Sequence, residues 1–294
     1  MSSKPKIGLF DLTMIVISFV IGMGIFRTPA NVAAASATPF LFYLAWIAGG
    51  LVALCGALTY AEIGSRLPVT GGYYKIFAYA YHPSIAFAIN CIILVSNAAS
   101  CAAVALVGSE YFASLLIPES KDAAYMAVAA NAEALKTVHV MIALAAIVLF
   151  YGVNMLGLRM SAKTQSVLML IKIGMVLLLI APLFFATNES AAAAPVIAEG
   201  MHPGFMEYIK GFGVGLVAVS FTYGGYQQTI NFGEEIEKPN VNIPRGIFIG
   251  IFVIILLYFF INVAYVQVIG FEELKTSKNI AAIMASKVFG VHAE

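Results

Sequence analysis

Charge is scarce in this chain. Lys, Arg, Asp and Glu supply 11% of its 294 residues, against the ~25% typical of a soluble domain. No block of Lys or Arg is long enough to form a polybasic arm, and the net charge is only +1, so no nucleic-acid partner is expected. Cysteine is nearly as rare. Cys55, Cys91 and Cys101 form no C-x-x-C pair and no zinc spacing, and they read as buried thiols rather than as a redox or metal site. The four histidines, His82, His139, His202 and His292, fall in loops or near the ends of apolar runs. An intramembrane protease or lipid-modifying enzyme needs a nucleophile with its base, or paired metal ligands, at depth. Neither is apparent, so no catalytic residue, metal or cofactor is expected; a channel or receptor remains a competing class.

What the chain has in excess is apolar surface. Hydrophobic residues make up 61% of it, where ~45–50% is usual for a soluble domain, and lipid is the cover this implies. With roughly 20 apolar residues needed per crossing, seven spans are expected: Leu9 to Ala34, Phe40 to Ser65, Ser84 to Leu116, Val138 to Leu158, Ser161 to Ala186, Tyr208 to Gly233 and Ile243 to Gly270. Lys4 and Lys6 before the first run, and Ala35-Ser36-Ala37 after it, imitate a signal peptide. Arg27 and Pro29 stand between the run and the supposed cleavage site, and the run exceeds a usual h-region, so the expectation is an uncleaved span. With the N-terminus inside, the inner loops hold Lys4, Lys6, Arg66, Lys75, Arg159, Lys163, Lys238 and Arg245, while the short outer loops hold Lys121 and Lys136. That asymmetry predicts a cytoplasmic N-terminus in a cell membrane.

The first span is interrupted at its middle by "IGMGIFRTP", and five spans later "FTYGGYQQTINFGEEIEKPNVNIPRGI" carries a second glycine pair. One Gly-x-Gly in a membrane helix is ordinarily a packing site. Two at corresponding positions are the pairing expected of an inverted-repeat transporter. Together with "YAEIGSRLPVTGGYY", these segments resemble the first-helix, second-helix and sixth-helix signatures of the amino acid–polyamine–organocation superfamily, most closely its L-type amino acid transporter branch. Met23 stands where members usually carry a small residue, and Tyr226 where they often carry Trp.

The resemblance implies an all-α, polytopic transmembrane helical bundle with broken first and sixth helices. It implies one transporter domain over 1–294, made of a first five-helix repeat, 1–187, and part of an inverted second repeat, 208–294. Such a segment is not expected to transport alone. The implied function is secondary transport of amino acids, neutral ones by preference, by alternating access, as sodium-independent exchange or proton-coupled uptake. A polyamine or cationic amino acid antiporter of the same fold is the alternative. An amino acid substrate and the lipid bilayer are the partners.

Breaking a helix within the bilayer frees donors and acceptors that a ligand can satisfy. A substrate carboxylate suits the N–H groups and dipole where the half-helix begins, at Gly22, Met23 and Gly24. By resemblance, its ammonium would meet carbonyls of Val20, Phe221 and Gly224, with Ile21, Tyr223 and Gly225 completing the two breaks. The substrate side chain would lie against Tyr226, with Phe221 as a lid. Lys172, about eleven residues into the fifth span, lies ~16 Å deep in a ~30 Å core, too deep for snorkelling. Its reading is open between a structural role at helix-end carbonyls and, by resemblance, a coupling role against carbonyls near Ile17 to Ile21. Glu62 reads equally as an interfacial charge or a gating residue. Arg27 pairs or snorkels and is left out of the site; Asn97 and Ser100 suit bonds between helices; "TGGYY", Thr70 to Tyr74, suits the start of a cytoplasmic helix.

Overall fold

A computed structural model of the chain describes residues 7–69, 71–116, 132–185, 204–277 and 279–289. Lys4, Lys6, Thr70, Lys121, Ala186, His202 and His292, named above, lie outside them. The described residues form, in order, α1 Leu9–Val20, α2 Gly24–Ala35, α3 Pro39–Arg66, α4 Gly72–Ala80, α5 Pro83–Leu116, α6 Ala132–Met155, α7 Leu158–Ile180, α8 Pro182–Phe185, α9 Phe205–Thr222, α10 Pro239–Val268, α11 Phe271–Thr276 and α12 Ile280–Phe289. Two 3-10 segments, Tyr226–Asn231 and Gly233–Glu235, continue the chain beyond α9. Among the described residues, six helices are long and apolar enough to cross a membrane, or seven if the bent pair α1 and α2 is one span. The chain is a multi-pass membrane protein.

Several boundaries differ from the sequence reading for local reasons. The first span, Leu9 to Ala34, expected to be interrupted near Gly22 to Gly24, is two helices meeting at 44°. The fourth and seventh begin earlier than expected, at Ala132 and Pro239. Pro239 suits a helix start, since its missing N–H would have no intrahelical partner there. Beyond Gly270 come two short helices, α11 and α12. Helix α3 opens at a true cap: Thr38 Oγ1 accepts from Leu41 N–H at 3.3 Å with Pro39 in the first turn, an arrangement worth about 1 kcal/mol.

The helices form two compact units, residues 1–72 with 163–294 and residues 73–162. In the second, α5 packs against α6, and the Ser161 hydroxyl donates to Asn154 Oδ1 at 2.6 Å. Asn97 and Ser100 lie exposed on α5. In the first unit α10 is central, packed against α1 and α3, and Ile243, Ile247, Ile251, Ile254, Tyr258, Ile261 and Tyr265 form its buried stripe. Lipid tails are as apolar as leucine, so helices associate here through close packing rather than through exclusion of water. Small residues make that packing possible. Added Cβ atoms on Gly246 and Gly250 of α10 would lie 2.8 and 2.6 Å from Leu12 and Val16 of α1, and one on Gly49 of α3 would lie 2.3 Å from Val219 of α9.

The three cysteines correct the sequence reading: all are exposed. They lie on apolar helices whose outer faces suit lipid, where a thiol behaves as a small hydrophobe. One further tie closes the first unit. Ile7 N–H donates to Glu235 O at 2.7 Å and Glu237 N–H to Ile7 O at 3.0 Å, an isolated parallel bridge between Ile7 and Ile236. It joins the residues before α1 to those after the 3-10 segments.

Candidate substrate site at the two broken spans

The break in the first span is a local failure of the helical ladder. Ile21 still donates to Ile17 O at 2.8 Å, but its own backbone turns extended, φ −73° and ψ 92°, and α2 restarts only at Gly24 without a side-chain cap. In a continuous helix the carbonyls of Val20 and Ile21 would accept from N–H groups four residues on. Side chains take their place: Tyr258 OH donates to Val20 O at 3.0 Å, and Lys172 Nζ donates to Ile21 O at 2.9 Å. Ser18, one turn earlier, accepts at Oγ from Gln165 Nε2 of α7. Gly22 is exposed and Met23 and Gly24 are half-buried, so the donors of the first turn of α2 lie at an accessible edge.

The sixth span breaks just after Thr222. Gly224 N–H turns back to Phe221 O at 3.2 Å, and Gly225 takes φ +123°, a conformation closed to other residues without strain. Its N–H donates to Gln227 Oε1 at 2.8 Å, and the chain then winds as a 3-10 helix, the tighter form that helices use at termini and under strain. The two breaks abut. An added Cβ on Gly225 would sit 2.2 Å from Phe19 O, and one on Gly24 would sit 3.0 Å from Thr222 Cγ2. Thr222 Oγ1 and Thr28 Oγ1 are hydrogen-bonded at 2.9 Å.

Beside the second break lies a pocket of about 340 Å³ lined by Gly49, Val52, Ala53, Tyr60, Ser220, Phe221, Gly224, Tyr226 and Gln227. None of these side chains carries a formal charge. Phe221 projects outward, 84% exposed. The Tyr226 ring meets Tyr60 edge-on at 6.0 Å, and its hydroxyl lies over Gly56, where an added Cβ would come within 2.2 Å.

The residues singled out from sequence are thus only partly brought together. Phe221, Gly224 and Tyr226 line the pocket; Gly22, Met23, Gly24 and Gly225 form the abutting breaks. Val20 and Ile21 contribute carbonyls from buried positions. Tyr223 does not reach the pocket: it is 1% exposed, with its ring 6.1 Å from Trp46 and 5.0 Å from Tyr258. Glu62 is exposed on the last turns of α3 and pairs with Arg66 at 2.8 Å, and Arg27 is also exposed. The Val20 carbonyl, assigned to the substrate ammonium by resemblance, already accepts from Tyr258, though a carbonyl can accept twice. Tyr258 and the α3 residues Gly49, Val52, Ala53 and Tyr60 escaped the sequence reading. The small residues of α3, Gly49, Ala53, Gly56, Ala57 and Gly64, recur at helical spacing, a signal that could have marked this face for close approach.

Two abutting helix breaks within a helical membrane bundle are an arrangement that many secondary transporters share. A model of the amino acid permease family matches residues 7–294, and the chain belongs to that family. It is 28% identical to the b(0,+)-type amino acid transporter 1 of Mus musculus over 98% of this chain and 56% of the relative. It is 28% identical to the large neutral amino acids transporter small subunit 2 of Homo sapiens over 99% of this chain and 52% of the relative. Against the serine/threonine exchanger SteT of Bacillus subtilis (strain 168), identity is 27% over 98% and 60% respectively. The chain therefore spans somewhat more than half the length of these relatives.

Proposed function

We propose that this protein is a secondary transporter of neutral amino acids, working by alternating access around the two breaks. The observation that carries this reading is the abutment of those breaks beside a pocket without charged side chains. The N–H groups that open α2 offer positive potential to a carboxylate. Carbonyls released by the breaks, with Gly224 O among them, offer acceptors to an ammonium. The pocket, within the usual size range for small-molecule sites, takes the substrate side chain between Phe221 and Tyr226. A cationic side chain or a polyamine would ask for an acidic partner there, so the uncharged lining favours neutral substrates. Two of the relatives are named for large neutral amino acids and for serine and threonine.

In this reading Lys172 stands where a coupling cation would otherwise neutralise the Ile21 carbonyl, so transport proceeds without sodium, by exchange or with protons. The N-terminus is cytoplasmic, as the distribution of Lys and Arg supports, the membrane is the plasma or inner membrane, and residues 1–187 and 208–294 belong to inverted repeats. The test is counterflow of labelled neutral amino acids in proteoliposomes carrying the intact protein, in sodium and in choline buffer. Saturable exchange in both buffers is expected. Absence of uptake for every neutral amino acid would overturn the reading.

A further inference from the structure

Among the described residues, the side chains of Lys172 and Tyr258 reach the carbonyls of the first break, and Tyr258 also packs against the second. Tyr258 is fully buried on α10. Its hydroxyl donates to Val20 O at 3.0 Å, while its ring packs 5.0 Å from that of Tyr223, the residue at which α9 gives out. Trp46 of α3 completes a cluster of three rings, 5.9 Å from Tyr258 and 6.1 Å from Tyr223. Asn262 Nδ2 donates to the backbone carbonyl of Tyr258 at 2.6 Å, one turn on. The aromatic ring is therefore held against two neighbouring rings, and its hydroxyl is directed at Val20 O.

We propose that Tyr258 is a positioning residue that holds the two breaks in register: its hydroxyl fixes the Val20 carbonyl, and its ring fixes Tyr223. It does not touch substrate. It sets the direction of one carbonyl at the first break and the exit angle of the backbone at the second, so that groups supplied by two different spans converge on one ligand. The chemistry favours this division of labour. Val20 O has lost its helical donor, and an unpaired carbonyl in a water-poor bundle is costly. A phenol is a donor with a rigid apolar body, so one side chain can satisfy that carbonyl and still pack against an aromatic neighbour. A phenylalanine would pack and leave Val20 O free to turn; a leucine would do neither.

The assignment of the breaks to an amino acid rests on the proposed function, so the test reads the breaks directly as well as through transport. The intact protein and its Tyr258→Phe and Tyr258→Leu variants would be followed by hydrogen exchange over residues 17–26 and 219–228, with residues 132–155 as control, since local opening shows as faster exchange. Tyr258→Phe is expected to speed exchange at the first break and leave the second unchanged, because the ring remains. Tyr258→Leu is expected to speed both, with the control segment unaltered. In uptake, Tyr258→Phe should raise KM about tenfold for small and large substrates alike while Vmax changes less, the size expected for one hydrogen bond. Unchanged exchange at the first break in Tyr258→Phe would overturn the proposal. So would unchanged exchange at residues 219–228 in Tyr258→Leu, or a KM shift confined to one class of side chain. Should the parent protein take up no amino acid, the transport reading falls, and the exchange pattern still decides whether Tyr258 holds the breaks.

Discussion

The ammonium of Lys172 and the carbonyl of Ile21 are 151 residues apart in sequence and 2.9 Å apart in space. Lys172 lies near mid-depth of its span, where an isolated charge costs at least ~2.5–3.5 kcal/mol on insertion scales. Ile21 O is a carbonyl whose helical donor the break has removed. Each group thus answers the other's deficit, and the contact ties the fifth span to the first at the point where the first is weakest.

Removing that ammonium leaves a polar oxygen unpaired at a cost of about 1–3 kcal/mol, and it leaves the half-helix tied to α7 through Gln165 and Ser18. Lys172→Ala is expected to lose transport while keeping measurable substrate binding, and the parent should transport equally in sodium and choline. Uptake and binding measured side by side check both. A variant at wild-type rate, or a parent that requires sodium, contradicts the coupling role.

At Gly225 the backbone itself is the constraint. Its φ of +123° and the 2.2 Å approach of an added Cβ to Phe19 O leave no room for alanine without moving α1. Backbone against backbone cannot yield as a flexible side chain can. Gly225→Ala is expected to abolish binding, and Gly24→Val, which drives a branched side chain into Thr222, to do the same, with expression changing less. A thermal-shift titration with neutral amino acids reads this directly, since stabilisation follows ligand occupancy. Wild-type affinity in either variant would show that the breaks need not abut.

The pocket predicts specificity rather than activity. Ala53 is buried on its wall beside Val52 and Gly49, and enlarging it takes volume from the substrate side chain. Ala53→Leu should cut the KM-based preference for large neutral substrates over small ones about tenfold, in line with the ~1–3 kcal/mol that a hydrophobic pocket can discriminate. Tyr226→Ala should shift preference toward bulkier side chains. Competition uptake with alanine, leucine and phenylalanine distinguishes these outcomes from a general loss of function.

The parts of this architecture that were legible in the sequence are those written into backbone chemistry. Glycine pairs at residues 22, 24, 224 and 225 announce breaks because no other residue is needed there so often, and a lysine at mid-depth announces a polar partner because lipid offers none. The apolar runs set the spans for the same reason. What could not be read is what depends on rotation about a helix axis. A uniformly apolar α3 gives no sign that Gly49, Ala53 and Tyr60 face a pocket, and an α10 with two tyrosines, Tyr258 and Tyr265, does not say which hydroxyl meets Val20. Tyr223 illustrates the limit: one position from Gly224, it turns into the packed core, while Gly224 lines the pocket. The cysteines were misjudged on the same ground, since in lipid an apolar residue is as well placed outside as inside.

The bridge between Ile7 and Ile236 carries the last prediction. Both residues are buried, at 4% and 1% exposure, and Ile7 makes two backbone hydrogen bonds across the chain, to Glu235 O and from Glu237 N–H. They link the residue that leads into α1 with those that follow the sixth-span 3-10 segments, so the far ends of both broken spans are fastened to one another by backbone. Proline at position 7 lacks the N–H that Glu235 accepts, and it also removes a buried β-branched side chain. Valine keeps the donor and most of the apolar surface. Ile7→Pro is expected to lower stability by about 1–3 kcal/mol, the combined effect of one lost hydrogen bond and a smaller buried side chain, and to speed hydrogen exchange at residues 235–238. Ile7→Val should change exchange there little and stability by about 1 kcal/mol. If the ends are independent, Ile7→Pro will leave exchange at residues 235–238 as it was, and the bridge will have no mechanical role.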